Sequence, residues 1–317
     1  MDFFHSLTFG ITALVVVGAS WCLIGLVMGN VAKHGLTATP VLRIGSIISC
    51  LASAVIYFLT GAYRSDVPLS VIGWTCLAFF VSGFANNCML SVMSKAMQKG
   101  PNGVIWCIIQ SAVIFPFLVG IFCFDVQTNR WQLGGFGLLL AALVEFGLAK
   151  DNTVKGVSSS SGMSWRTLAF LAFLITGFQQ SMHNLPPYFE SAREVSSILK
   201  TLVNSFGGLC ATTVWSFCAR EPSPFLFSKA VLRNRWFWGY AIALQAFGLV
   251  SAYLLQYRGM DILAANGLGS MSYPVLIGSC IVAFTVSSVV FLKERLHWRQ
   301  LVAVILCVAG LILLCKK

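Results

Sequence analysis

A single carboxylate stands inside an apolar run at Leu143-Val144-Glu145-Phe146-Gly147. An ionised side chain in hydrocarbon is costly unless it is paired or wetted. Glu145 therefore reads in one of two ways. It is either a proton- or cation-coupling carboxylate facing a cavity, or a residue near a helix end that reaches water or Lys150. Two cations pose the same question. Arg43 and Lys200 each fall early in an apolar run. They could clamp an anionic group of a substrate, Arg with a planar fork and Lys as a point charge. Alternatively both snorkel to the membrane interface, which suits Arg43, three residues past Pro40.

Uncharged polar residues crowd other apolar runs. Gln179, Gln180, Ser181, His183 and Asn184 precede Pro186-Pro187, while Asn86-Asn87 and Gln110-Ser111 interrupt two earlier runs. Gln245 and Gln256 share a later one, and Asn266, Ser270, Ser272 and Tyr273 precede Pro274. Singly, such residues glue helices together. As a set they point to a polar cavity lined by Asn87, Gln179, His183 and Tyr273. His183 is either a neutral, satisfied imidazole or a group that titrates near neutrality and couples protons. Trp21 and Trp106 lie inside apolar runs and could stack on a ring-bearing solute. Trp131, Trp165, Trp236, Trp238 and Trp298 stand at run ends, where tryptophans form the interfacial belt.

The chemistry that is missing narrows the function. No G-x-x-x-x-G-K-[ST] loop is present to hold ATP, and no H-E-x-x-H or G-x-S-x-G motif suggests a hydrolase. The 11 cysteines show no C-x-x-C spacing and fall almost entirely in apolar runs, as packing residues do. No metal, cofactor or nucleic-acid partner is expected, since the net charge of +11 is scattered over run ends rather than gathered in a patch. What remains is gradient-driven or exchange transport of a small molecule, with protons or another ion as the coupling species. The rival is a non-transporting membrane sensor or assembly subunit.

These residues need helices to place them, and the composition says in what solvent. Hydrophobic residues make up 57% of the 317 positions and charged residues 10%, against roughly 25% charged in soluble domains. Mean hydropathy is +0.83. The solvent is lipid. Apolar runs near 9–31, 41–60, 70–94, 102–124 and 132–149, then 166–187, 195–218, 236–257, 264–291 and 297–315, read as ten spans. The first lacks the basic start and cleavage site of a signal peptide.

A polar linker over 151–164 separates a first half, 1–150, from a second, 165–317. Asn129-Arg130-Trp131-Gln132-Leu133 opens the fifth run, and His297-Trp298-Arg299-Gln300-Leu301, 168 positions on, opens the tenth. Pro40-Val41-Leu42-Arg43 pairs similarly with Ser197-Ile198-Leu199-Lys200. Since five is odd, two such halves run in opposite senses. The expected fold is an all-α membrane protein of ten helices as two inverted five-helix repeats around a central cavity.

These residues carry a resemblance. Gly18-Ala19-Ser20-Trp21 followed by Pro40 and Arg43 is similar to the start of EamA-type members of the drug/metabolite transporter superfamily. Tyr253-Leu254, Ala264-Ala265, Pro274-Val275, Phe291-Leu292-Lys293-Glu294-Arg295, Gln300-Leu301 and Ala309-Gly310 follow that family's order near its end. The chain departs from it at Lys293, where the family has Gly. The resemblance implies a ten-helix basket that moves amino acids, sugars or similar metabolites by alternating access, in the cell (inner) membrane, as a monomer or homodimer. It also implies cytoplasmic termini. The excess of Lys and Arg in the connections after odd-numbered spans implies the opposite.

Overall fold

The computed structural model describes residues 6–64, 66–100, 102–148, 163–218, 228–292, 298–314 and 316. Helix accounts for nearly all of it, with no strand among the described residues. Helices cover each of the ten apolar runs. The first half holds α1 (Leu7–Asn30, interrupted at Trp21), α2 (Ala38–Leu59) and α3 (Leu69–Met97). It continues with α4, which runs from Asn102–Gln110 through a 3₁₀ turn at Ser111–Val113 into Ile114–Phe124, and α5 (Arg130–Leu148). The second half holds α6 (Trp165–Asn184) and α7 (Ser197–Cys218). Next, α8 runs from Arg235–Val250 through a π turn at Ser251–Gln256 into Tyr257–Ala265. Then follow α9, a 3₁₀ turn at Gly269–Met271 leading into Ser272–Leu292, and α10 (Trp298–Leu314). The polar linker, apart from Met163 and Ser164, and the Lys293-Glu294-Arg295 motif lie outside the described residues.

Local chemistry sets the ends. The Asn129 carboxamide accepts from the Gln132 amide at 2.9 Å, and Gln132 Oε1 accepts from the Asn129 amide at 3.1 Å. That reciprocal box starts α5. Ser164 caps α6 through the Thr167 amide at 3.2 Å, and Pro186-Pro187 follow its end, where neither ring nitrogen carries the N–H that would continue the helix ladder. Pro116 has no N–H for the Ala112 carbonyl, which accounts for the tightening of α4 at Ser111–Val113. Pro274 sits in the first turn of its helix, where a missing N–H costs nothing.

Among the described residues, four segments are long and apolar enough to cross a membrane: Leu7–Asn30, Ala38–Leu59, Leu69–Met97 and Ile105–Phe124. The chain is a helical membrane protein. Its outer face agrees: Leu59, Leu69 and Phe122 are among its most exposed side chains, while Ser53, Thr75, Ser82 and Gln110 are buried.

Helix pairing is extensive and patterned. The main contacts join α3 to α7, α5 to α10, α3 to α6, α2 to α7 and α1 to α9. Further contacts join α2 to α8, α1 to α8, α4 to α6, α9 to α10 and α4 to α5. Advancing every helix number by five, past ten back to one, returns the same set. At the α3–α7 crossing the backbones touch. A Cβ on Gly83 would overlap the Asn204 carbonyl, and one on Gly207 the Phe80 carbonyl. Close approach of this kind requires glycine. We expect Gly83→Ala to lower stability in detergent by about 1–3 kcal/mol, the usual cost of overpacking. Gly73→Ala, with nothing within 4 Å, should be neutral or slightly stabilising in a thermal melt. Equal melts would show that the crossing is looser than this.

Candidate functional site

A cavity of ≈ 190 Å³ lies between the helices. Four departures from regular α-helix adjoin its wall: Trp21 at the break in α1, Gln110 before the 3₁₀ turn of α4, Ser251, Ala252 and Gln256 in the π turn of α8, and Tyr273 just after the 3₁₀ turn that opens α9. The 3₁₀ turns at Val31–His34 and Pro186–Tyr188 do not. Irregular backbone inside a membrane protein is tolerated where it is covered by protein or lines a polar space. π turns recur at functional sites for the same reason.

The residues singled out in the sequence separate into three groups. Asn87, Gln179, His183, Tyr273 and Trp21 all line this cavity. His183 sits at its polar wall. Its Nδ1 is 3.1 Å from Ser82 Oγ, and its Nε2 is 3.3 Å from Gln256 Nε2. Gln256 can only donate through that nitrogen, so Nε2 accepts and Nδ1 carries the proton toward Ser82. Ser82 in turn donates to the Gln179 carbonyl at 3.3 Å and accepts from Gln179 Nε2 at 3.2 Å. Both ring nitrogens are thus occupied, which favours the neutral, satisfied histidine. Phe79 and Tyr257 flank the ring at 5.1 Å and 5.2 Å. Asn87 donates to Ser46 at 3.0 Å, and Trp21 and Tyr273 pack at 6.2 Å.

Lys200 is drawn to the site but stands behind its wall. It is 1% exposed, and its ammonium donates to Asp261 Oδ2 at 3.1 Å, with the Phe79 ring 6.0 Å away. Asp261 opens on a second, wider space of ≈ 610 Å³, shared with Arg193, Ser197 and Arg258. Thr201 and Tyr257, one turn along the same two helices, line the central cavity instead. One turn of α7 and one of α8, pinned by the Lys200–Asp261 pair, therefore divide the cavity from this vestibule.

Arg43 and Glu145 lie elsewhere. Arg43 is buried against α7, donating to the Thr212 carbonyl at 3.1 Å and to the Ser216 hydroxyl. Glu145 on α5 meets Arg299 on α10 at 3.8 Å, with both side chains about a third exposed. That placement favours the boundary residue over the coupling carboxylate. An ion pair so exposed contributes roughly 0–1 kcal/mol. Glu145→Gln should therefore leave the melting temperature and any pH dependence of transport nearly unchanged. A flattened pH profile in liposomes would restore the coupling role.

Asp261 and Asn204 are the functional candidates that sequence reasoning passed over. In sequence the eighth run reads as 236–257, which leaves Asp261 in a connection. The helix instead continues to Ala265. An acidic residue four positions beyond a polar Gln256-Tyr257 pair was the available signal.

No protein-family model and no curated protein matches the chain. Solved structures do. One, described as "Crystal structure of protein", aligns over 95% of this chain and 96% of its own with a TM-score of 0.59 and 15% identity. At that identity the likeness concerns the fold alone.

Proposed function

We propose that the chain is a secondary transporter, moving a small organic solute across the cell membrane by alternating access. Its ten helices all span, as two inverted five-helix repeats of the EamA-type drug/metabolite transporter plan. The cavity is the observation that carries this reading. Its wall draws on Trp21, Asn87 and Gln110 from one half and on Gln179, His183, Gln256 and Tyr273 from the other. Substrate sites of inverted-repeat transporters lie at that junction. A scaffold would close its polar groups helix to helix, whereas here Gln180 Oε1 and Asn204 Oδ1 are buried with no hydrogen-bond partner. The helix pairing, which repeats itself when every number advances by five, supports the repeat.

The mechanism follows from the thin wall. Parting α7 and α8 at the Lys200–Asp261 pair joins cavity and vestibule, with the π turn at Ser251–Gln256 as the bending point. Asp261 is better placed than Glu145 to feel a coupling proton or ion, since it faces the vestibule and holds the pair. The test is solute counterflow in proteoliposomes, run beside a thermal-shift screen against a metabolite panel. A ligand at 100 times its dissociation constant stabilises by about 2.7 kcal/mol. At least one stabilising solute should also exchange across the membrane. Stabilising ligands that never exchange would favour a sensor.

A further inference from the structure

The central cavity's wall has an unusual chemistry. Eight of its residues are carboxamides, and none of the described lining residues is Asp, Glu, Lys or Arg. The Lys200–Asp261 charge pair nearby is closed on itself behind Tyr257. A solute with a full charge would leave water for a wall without a counter-charge, which is strongly unfavourable. A carboxamide offers a donor and an acceptor side by side in one plane. It therefore matches a planar edge carrying the complementary pair, as Asn and Gln do with adenine.

Several of these groups await a partner. Gln180, 2% exposed, has a buried Oε1 with no hydrogen bond, and so does Asn204 Oδ1. The indole N–H of Trp106 is buried with only the Cys280 thiol beside it and closes no hydrogen bond there. The Tyr257 and Tyr273 hydroxyls have Thr201 and Gln179 beside them without closing a hydrogen bond. Flat apolar faces come from Trp21 and Trp106. Size is the last constraint. A cavity of roughly 150 Å³ admits benzene, so ≈ 190 Å³ suits one ring or a compact fused pair.

Resting on the reading of this cavity as the substrate site, we propose that its ligand is an uncharged planar heterocycle with an amide-type edge, of the nucleobase or lactam class. Phosphorylated sugars and carboxylates are excluded as ligands of this site, and polyols lack the flat faces that Trp21 and Trp106 would stack.

Three small probes separate the possibilities when added to the purified full chain: uracil (a neutral lactam), benzoate (a planar anion) and glucose (neutral but not flat). Uracil should raise the melting temperature, while benzoate and glucose should not. Gln180→Leu and, separately, Asn204→Ala should weaken uracil binding about tenfold, the worth of one lost hydrogen bond at the upper end. Trp106→Phe, which keeps the ring and loses the N–H, guards against a variant that merely fails to fold. Stabilisation by benzoate or glucose but not uracil overturns the proposal, and so does binding of none of the three. Counterflow of the same probes keeps the two readings apart. Uracil that binds without crossing the membrane leaves this assignment standing and removes transport. Glucose or benzoate that crosses while uracil neither binds nor crosses does the reverse.

Discussion

Lys200→Met and Asp261→Met should each destabilise the protein by several kcal/mol, while the double variant should melt near the wild type. Removing one partner of a buried ion pair strands the other charge at a cost of about 3–5 kcal/mol, whereas replacing both with apolar groups is often neutral or stabilising. Lys200 is 1% exposed and Asp261 15%. The Lys200 deletion, which leaves Asp261 with some access to the vestibule, should therefore be the milder of the two. Thermal unfolding in one detergent checks all three. Near-equal melts for the single and double variants would show that the pair does not hold α7 to α8. The double variant has a second use. With its latch gone and its fold intact, it should open more readily toward the vestibule.

The second large effect concerns function rather than stability. Ala252 lies on the cavity wall in the π turn, and Ala252→Trp places an indole in a space of ≈ 190 Å³. Overpacking typically costs about 1–3 kcal/mol. With the ligand's volume taken, affinity should fall by about tenfold or more. Solute flux should collapse, while the protein still folds with its melting temperature lowered only by that overpacking cost. Flux at the wild-type rate in a folded Ala252→Trp protein would place the substrate path elsewhere.

Much of the cavity could be read from residue type alone, for one physical reason. A polar side chain in an apolar run must turn away from lipid, so Asn87, Gln179, His183 and Tyr273 were bound to face inward. Their proximity followed once the helices packed. Some run ends were legible too, since Asn129-Arg130-Trp131-Gln132 opens the fifth run and caps α5; the ninth was not, because 264–265 close α8 and α9 opens only at Gly269–Met271. Pairing across the chain was not. Arg43 and Lys200 look equivalent in sequence, yet one donates to Thr212 and Ser216 and the other to Asp261. Which partner a buried cation meets depends on contacts 61 or 169 positions away. Nor does any local pattern announce the π turn at Ser251–Gln256. That turn carries α8 past Arg258 and brings Asp261 beside Lys200.

Alternating access makes one demand that needs no knowledge of the substrate: the cavity must meet each side of the membrane in turn. Ser205 lines the cavity and shares a 2.7 Å hydrogen bond with Ser49, so Ser205→Cys changes little in size. An impermeant thiol reagent, applied to right-side-out and then to inside-out vesicles, reports access to that position by peptide-resolved mass spectrometry. Native Cys107, Cys280 and Cys307 are buried in the core and stay inert, whereas the exposed Cys123 and Cys218 set the background. A transporter should label at position 205 from both sides, and a bound solute should protect it from both. Labelling from one side only, whatever the solute or incubation time, would contradict the account.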